Sequence, residues 1–417
     1  MSGSAIPRND SGSAAAGGGG VVRLRHGTAA FRRATSALVA IGFATFALLY
    51  CVQPLLPVFS AEFGVSPAVS SLALSLTTGL LAPMLIVAGG LSETFGRKGL
   101  MIASLAATAV LTIGAALMPG FSGLLVTRAL TGIVMSGLPA VAMAYLGEEV
   151  EPHSLGFATG VLIGGNALGG MFGRVAAGAL TDFASWRVAL GVLGAFSLAA
   201  SLAVWTMLPP SRHFARRPFR VGAMLAAFAE HLREPGLRML FALPFLLMGS
   251  FVTLYNYIGY RLEAAPYELG QTASGAVFTV YLIGSASSAW MGRLADRFGR
   301  RQVLWVAVLI MLGGILLTLA HALPLIVLGI AIATFGFFGG HSIASSWVAR
   351  RAHTAKGQAS SLYLFAYYLG SSTIGSAGGL AWTLGGWTGV VAGLSLLILL
   401  ALGLSLRLAR LQPLPDA

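Results

Sequence analysis

Apolar residues along this 417-residue chain come in runs of about 20, the length a helix needs to cross a bilayer, rather than in the strict alternation of a half-buried strand. Polar punctuation between the runs is short. The pattern predicts six helices over 36–58, 70–91, 99–118, 121–146, 155–180 and 187–208, and six more over 239–260, 270–291, 302–321, 324–349, 357–380 and 386–409. The fold class expected is therefore all-α integral membrane, with 12 spans. An even number of spans places both termini on one side.

Composition sharpens the picture. The chain is 56% hydrophobic and 9% charged, against roughly a quarter charged in a soluble domain, which excludes a soluble fold. Cys51 is the single cysteine, so no intrachain disulfide is available, and no Cys/His cluster has metal-ligand spacing. Neither a cofactor nor a metal is expected. The first 28 residues are rich in Gly, Ser and Ala with no apolar core, which reads as a disordered tail rather than a signal peptide.

A net charge of +13 raises the question of nucleic acid. All but four of the 26 Lys and Arg residues fall in the tails or in connections on the side of the tails, the exceptions being Arg128, Arg174, Arg187 and Arg261. The charge is thus a topology signal, and the positive-inside rule predicts cytoplasmic termini in a bacterial-type inner membrane. Nucleic acid is dropped as a partner. The bilayer takes its place, and the 209–238 connection, basic and then amphipathic, is expected to lie on its anionic inner leaflet.

The octapeptide "LSETFGRK" at 91–98 returns as "LADRFGRR" at 294–301, 203 residues later. "GLPA" at 137 pairs with "GHSI" at 340 in the same register, and Leu168, Gly169 and Trp186 pair with Leu369, Gly370 and Trp387 after a two-residue slip. Phe46 and Tyr50 pair with Phe251 and Tyr255. The domains expected are a cytoplasmic tail over 1–34, a six-helix half over 35–208, a linker over 209–238, a second half over 239–410 and a tail over 411–417.

"GGLSETFGRK" and "GRLADRFGRR" resemble the loop signature G-x-x-x-D-R-x-G-R-[RK] of the major facilitator superfamily, and the resemblance covers residues 30–410. "YCVQPLLPVFSAEFGVS" and "RALTGIVMSG" are similar to its 12-helix drug:proton antiporter branch. The resemblance implies two pseudo-symmetric six-helix bundles, a substrate site near mid-membrane and alternating access. It assigns Arg128 to proton coupling. It also assigns the octapeptide residues Glu93, Gly96, Arg97, Lys98, Asp296, Arg297, Gly299, Arg300 and Arg301 to an inner gate. The second copy keeps the full pattern, whereas the first has Glu93 for aspartate and Thr94 for arginine, so the second is expected to be the stronger latch.

Charge inside a span costs about 2.5–3.5 kcal/mol on insertion scales, so Arg128 and Arg174 need a reason. Each has two readings: a functional cation facing substrate or proton, or a structural arginine satisfied by backbone carbonyls and water. None of the 13 acidic residues falls mid-span, which departs from antiporters that carry a membrane carboxylate. Asp182 and His341 are the remaining proton-coupling candidates, with a helix-end cap and a packing imidazole as their plainer readings. Gly165, Gly169, Gly173 and Ala177 recur every four residues and predict a smooth packing face. They also resemble the antiporter signature G-P-x-x-G-G, with Asn166 where the proline belongs.

Polar and aromatic residues gather in the spans that line the central cavity of such a fold. Tyr50, Gln53, Asn166, Arg174, Asn256 and Tyr367 are the substrate-binding candidates, drawn from a wider set with Tyr255, Tyr257, Tyr281, Tyr363 and Tyr368. There is no phosphate loop and no convergent nucleophile, base or metal set, so neither an ATP-driven pump nor an enzyme is expected. The expected function is proton-coupled efflux of a small organic solute by a monomeric secondary transporter. The alternative is a facilitator or importer of a small organic anion.

Overall fold

The computed structural model describes residues 23–214 and 221–411, which form helices and short connections. The first half comprises α1 (Ala29–Tyr50), α2 (Leu56–Phe63), α3 (Pro67–Ser70), α4 (Leu72–Phe95), α5 (Arg97–Ala116), α6 (Phe121–Met135), α7 (Pro139–Glu149), α8 (Pro152–Phe183) and α9 (Trp186–Met207). The linker holds α10 (Val221–Arg233). The second half comprises α11 (Pro235–Glu263), α12 (Gln271–Ala276), a 3₁₀ turn, α13 (Tyr281–Phe298), α14 (Arg300–Leu317), α15 (Leu323–Arg351) and α16 (Lys356–Arg410).

Ten of the helical stretches are long and apolar enough to cross a membrane. One of them, α16, is two spans joined at Gly385 and Gly386, whose backbones leave the helical region. With the α12–α13 stretch counted as a crossing, the arrangement is consistent with the twelve spans expected. Large apolar side chains including Phe172, Val192, Leu202, Leu328 and Leu400 face outward, the arrangement lipid requires and water forbids.

Both octapeptides fold into the same device. Gly96 and Gly299 adopt φ of 94° and 87°, a conformation that a Cβ disfavours, and in each copy one helix ends just before the glycine and the next begins just after it. The slipped pair Gly169 and Gly370 also share one job. A Cβ on either would lie about 2 Å from a carbonyl oxygen, that of Phe43 on α1 or Phe245 on α11. The duplication is therefore visible in backbone contacts as well as in letters.

Two expected spans are broken rather than straight. The first is interrupted over 51–55, where Pro54 falls in the turn between α1 and α2. The fourth is interrupted at 136–138, just before Pro139. Proline lacks an N–H and clashes with the preceding turn. The repeat position of Pro139 is Ser342, and α15 runs through it unbroken.

The halves meet at the end opposite the described ends of the chain, called the outer end below. Among the described residues, hydrogen bonds joining the halves include those of Gln53 with Asn256 and the Val252 carbonyl, Ser75 with Ser372, Ser60 and Leu56 with Tyr260, and Asp182 with the amides of Gln271 and Thr272. At the other end the linker straps onto the second half through Glu230, His231 and Glu234. Two expected boundaries shift: residues 29–34 of the expected tail belong to α1, and α11 starts at Pro235. Residues 1–22, the basic stretch 215–220 and the tail 412–417 lie outside the described residues.

Candidate functional site

Local backbone geometry builds the centre of the molecule. The small residues of α8 let α1 approach until Gly165, Gly169 and Gly173 touch the backbones of Val39, Phe43 and Ala47. That contact carries the end of α1, with Tyr50 and Gln53, over Arg174. The guanidinium carbon sits 4.1 Å from the Tyr50 ring centre, 4.5 Å from Tyr281 and 5.1 Å from Phe278. Three faces of π density around one cation supply part of the stabilisation that water would give. Arg174 Nε donates to Gln53 Oε1 at 2.7 Å and Nη1 to the Gly170 carbonyl at 2.7 Å.

The chain of contacts continues across the two halves. Gln53 Nε2 donates to Asn256 Oδ1 at 2.7 Å. The bond joins the turn after α1 to α11, corresponding parts of the two halves. Arg174, Gln53 and Asn256 are each 1% exposed. Among the described residues no carboxylate pairs with Arg174 or Arg128, so the centre carries positive charge balanced only by rings, amides and carbonyls.

Four of the six substrate-binding candidates thus come together: Tyr50, Gln53, Arg174 and Asn256. Tyr367 lies among the rings of the second half, 6.5 Å from that of Phe337. It also sits 4.9 Å from the His341 ring and 5.1 Å from Tyr368. His341 in turn meets the Tyr363 hydroxyl at 2.9 Å and stacks on Phe337. Asn166 stands apart, with its side-chain oxygen against Gly42. Tyr255 and Tyr257 hydrogen bond to Thr334 and to the Gly375 carbonyl, within the second half. Phe278 was not legible as a candidate, although its spacing of three from Tyr281 puts both on one helical face.

Arg128 occupies a different environment. Its Nε, Nη1 and Nη2 donate to the carbonyls of Ala73, Leu48 and Leu49 at 3.0, 3.1 and 2.8 Å. The break after α1 frees the last-turn carbonyls of Leu48 and Leu49, and a guanidinium is well suited to cap them. The repeat position of Arg128 is Ala331, and α11 has no matching break. Asp182 accepts from the amides of Gln271 at 3.1 Å and Thr272 at 2.6 Å, tying α8 to α12 at the outer end.

The gating candidates lie at the end of the molecule that carries the linker. Arg97 makes a bidentate pair with Glu148 at 2.6 and 3.2 Å, bonds Ser92 and lies over Phe214. Lys98 donates to the Leu208 carbonyl. In the second copy Arg300 pairs with Asp296 at 3.0 Å and with Ser346, while Arg297 lies over Phe298. The Arg97 side chain is 7% exposed and that of Asp296 65%. The ion pair of the first copy is thus the more buried of the two. The cause is local: the repeat position of Glu148 is Arg351, which pairs instead with Glu234 in the linker. Glu93 and Arg301 make no salt bridge among the described residues.

A two-half helical bundle of apolar helices around a buried central cluster, closed at its outer end, is the arrangement of a membrane transporter. The Major Facilitator Superfamily model matches residues 38–270, and the chain belongs to that family. It is 49% identical to the MFS-type transporter YybF of Bacillus subtilis (strain 168), over 94% of this chain and 97% of YybF. It is 48% identical to the inner membrane transport protein YnfM of Escherichia coli (strain K12), over 93% of each chain. Among solved structures it resembles a bacterial homologue of the human lysosomal transporter Spinster in an inward-facing, unoccupied conformation. That TM-score is 0.76 at 14% identity, covering 90% of this chain and 96% of the other. The protein is a multi-pass membrane transporter and not an enzyme.

Proposed function

We propose that the protein is a secondary active transporter that exports a small, negatively charged organic solute from the cytoplasm in exchange for protons. It does so in a bacterial inner membrane with both termini cytoplasmic. The observation that carries this reading is Arg174: a cation caged by Tyr50, Tyr281 and Phe278, held by Gln53 at the seam of the halves, with no carboxylate partner. An anionic group on the solute supplies the missing counter-charge, and the surrounding rings fit an apolar body. Tyr367 and His341 extend that lining into the second half.

Opening of the outer end requires the Gln53–Asn256 hydrogen bond to break, which frees the Gln53 amide that orients Arg174. Substrate binding and gate opening thereby act on the same three side chains. In this scheme the inner gate uses Glu93, Gly96, Arg97, Lys98, Asp296, Arg297, Gly299, Arg300 and Arg301, and Asp182 belongs to the outer gate. Arg128 serves as a cap on α1.

A second reading, facilitated movement or import of an organic anion without protons, is favoured by the lack of any mid-span carboxylate in the sequence. Reconstituted protein distinguishes the two. Liposomes loaded with aromatic or aliphatic carboxylates, with and without an imposed pH gradient, should show gradient-dependent flux and opposing proton movement. Equal flux under both conditions, with no proton movement, replaces exchange by facilitation. Flux of neutral and cationic solutes alone removes the anion reading.

A further inference from the structure

The linker helix α10 presents three sides, and only one of them is covered by the protein. At 3.6 residues per turn, Met224, Ala227, Phe228 and His231 share a side. His231 is buried there, the other three are half-buried, and the His231 ring meets the Ala355 carbonyl of the second half at 3.2 Å. Val221, Leu225, Ala229 and Leu232 fall within about 80° of arc on a second side. All four are exposed, and the three larger ones stand at 49, 56 and 47%. Glu230 and Arg233 occupy the third side, where Glu230 accepts from the Thr354 hydroxyl at 3.0 Å. A helix with one side on protein, one apolar side open and one charged side suits a boundary between apolar and aqueous surroundings.

The same contacts fix where that open side lies. Arg351 closes α15, and Ala355 immediately precedes α16. The helix therefore rests at the level where these two spans leave the apolar zone. Charge at this level is one-sided. Arg233, Arg238 in the first turn of α11 and Lys356 at the start of α16 are exposed and make no salt bridge among the described residues. Glu234 is taken up by Arg351, and Glu230 is the one carboxylate of α10.

We infer that the open side of α10 is a docking surface for anionic phospholipid of the inner leaflet. The stripe of Val221, Leu225 and Leu232 lies among acyl chains, with Arg233 and Arg238 at the headgroup phosphates. A zwitterionic lipid would cover the stripe but leave the arginines without net counter-charge, whereas each arginine near an anionic surface adds about fivefold to binding. The docked lipid acts beyond α10 itself. Glu234, the next residue, accepts the amides of Gly236 and Leu237 at the start of α11 and pairs with Arg351 at the end of α15. Lipid that seats α10 thereby holds the inner ends of α11 and α15 together. This surface depends only on the membrane setting, and neither the solute nor proton exchange enters it.

The test uses the full-length protein with Cys51→Ala and a fluorescent thiol label at Leu225→Cys. It is placed in nanodiscs of phosphatidylcholine and phosphatidylglycerol in equal amounts, with bromine on the acyl chains of one lipid or the other. Bromine on phosphatidylglycerol should quench the label severalfold more than bromine on phosphatidylcholine. Arg233→Ser with Arg238→Ser should leave the label quenched but equally by both lipids, and a label at Ala223→Cys, on the far side of the helix, should escape both. Equal quenching without the arginine changes overturns the anionic preference. A preference that survives both arginine changes overturns their role, and stronger quenching at Ala223→Cys than at Leu225→Cys overturns the orientation. A label quenched by neither lipid, with Leu225→Cys forming disulfides between copies, gives the surface to a second copy instead.

Discussion

At the scale of single residues, two arginines written alike in the sequence have opposite surroundings. Arg128 spends three nitrogens on backbone carbonyls, whereas Arg174 faces rings and an amide at the seam. Arg174→Ala should therefore leave the fold intact but raise the KM for anionic solutes by tenfold or more, about 1.4 kcal/mol of binding. Arg174→Lys should recover little, because a lysine cannot hold Gln53 and stack on Tyr50 at once. Normal KM in both variants removes the charge anchor. Arg128→Ala should act on stability, costing roughly 1–3 kcal/mol for each buried carbonyl left unpaired, and should appear as a lower melting temperature of the detergent-solubilised protein. An unchanged melting temperature with lost transport would instead assign Arg128 to coupling. Both arginines were legible because charge is rare inside a span. Their difference was not, since it depends on the chain break after Tyr50, which lies in the apolar run "YCVQPLLP" and leaves hydropathy unchanged.

At the scale of elements, glycine decides which helices touch. A Cβ at Gly169 would lie 2.0 Å from the Phe43 carbonyl oxygen, and backbone cannot swing aside as a side chain can. Gly169→Ala should force α1 and α8 apart and reduce folded yield, while Gly160→Ala on the same helix meets open space and should be neutral or stabilising by up to about 1 kcal/mol. Equal yields of the two variants contradict the contact. The four-residue glycine spacing revealed this face in advance, but not its partner. The linker shows the limit of sequence patterning more sharply. Burial of Glu234 works against its charge, yet hydrogen bonds from Arg351 and from the amides of Gly236 and Leu237 hold its carboxyl below the usual carboxylate range. A depressed carboxyl stabilises the fold at neutral pH and loses that contribution as pH falls through its titration. The strap of α10 on the second half should thus loosen in acid, read as faster proteolysis of the linker. Glu234→Gln should already be loose at pH 7 and lack that acid-dependent step; wild-type resistance in that variant rejects the strap.

At the scale of the whole molecule, the all-helical membrane architecture and the duplication were legible because the length of the apolar runs and the repeated letters each record them. Which end is closed was not, since the same apolar runs serve either state. The structure is closed at the outer end, where α4 and α16 touch through the Ser372 hydroxyl and the Ser75 carbonyl at 2.7 Å, and Gly379 meets Ala68. If transport requires this seam to part in each cycle, a covalent tie across it must stop the cycle without disturbing either half. Ser75→Cys with Ser372→Cys, in a Cys51→Ala background, should cross-link under mild oxidant and lower solute flux at least tenfold, with recovery on reduction. Each single cysteine variant should transport normally with or without oxidant. Undiminished flux in the cross-linked double variant would mean that the seam stays shut during transport, and the rocking of the two halves, with the breaking of the Gln53–Asn256 bond, would have to be abandoned.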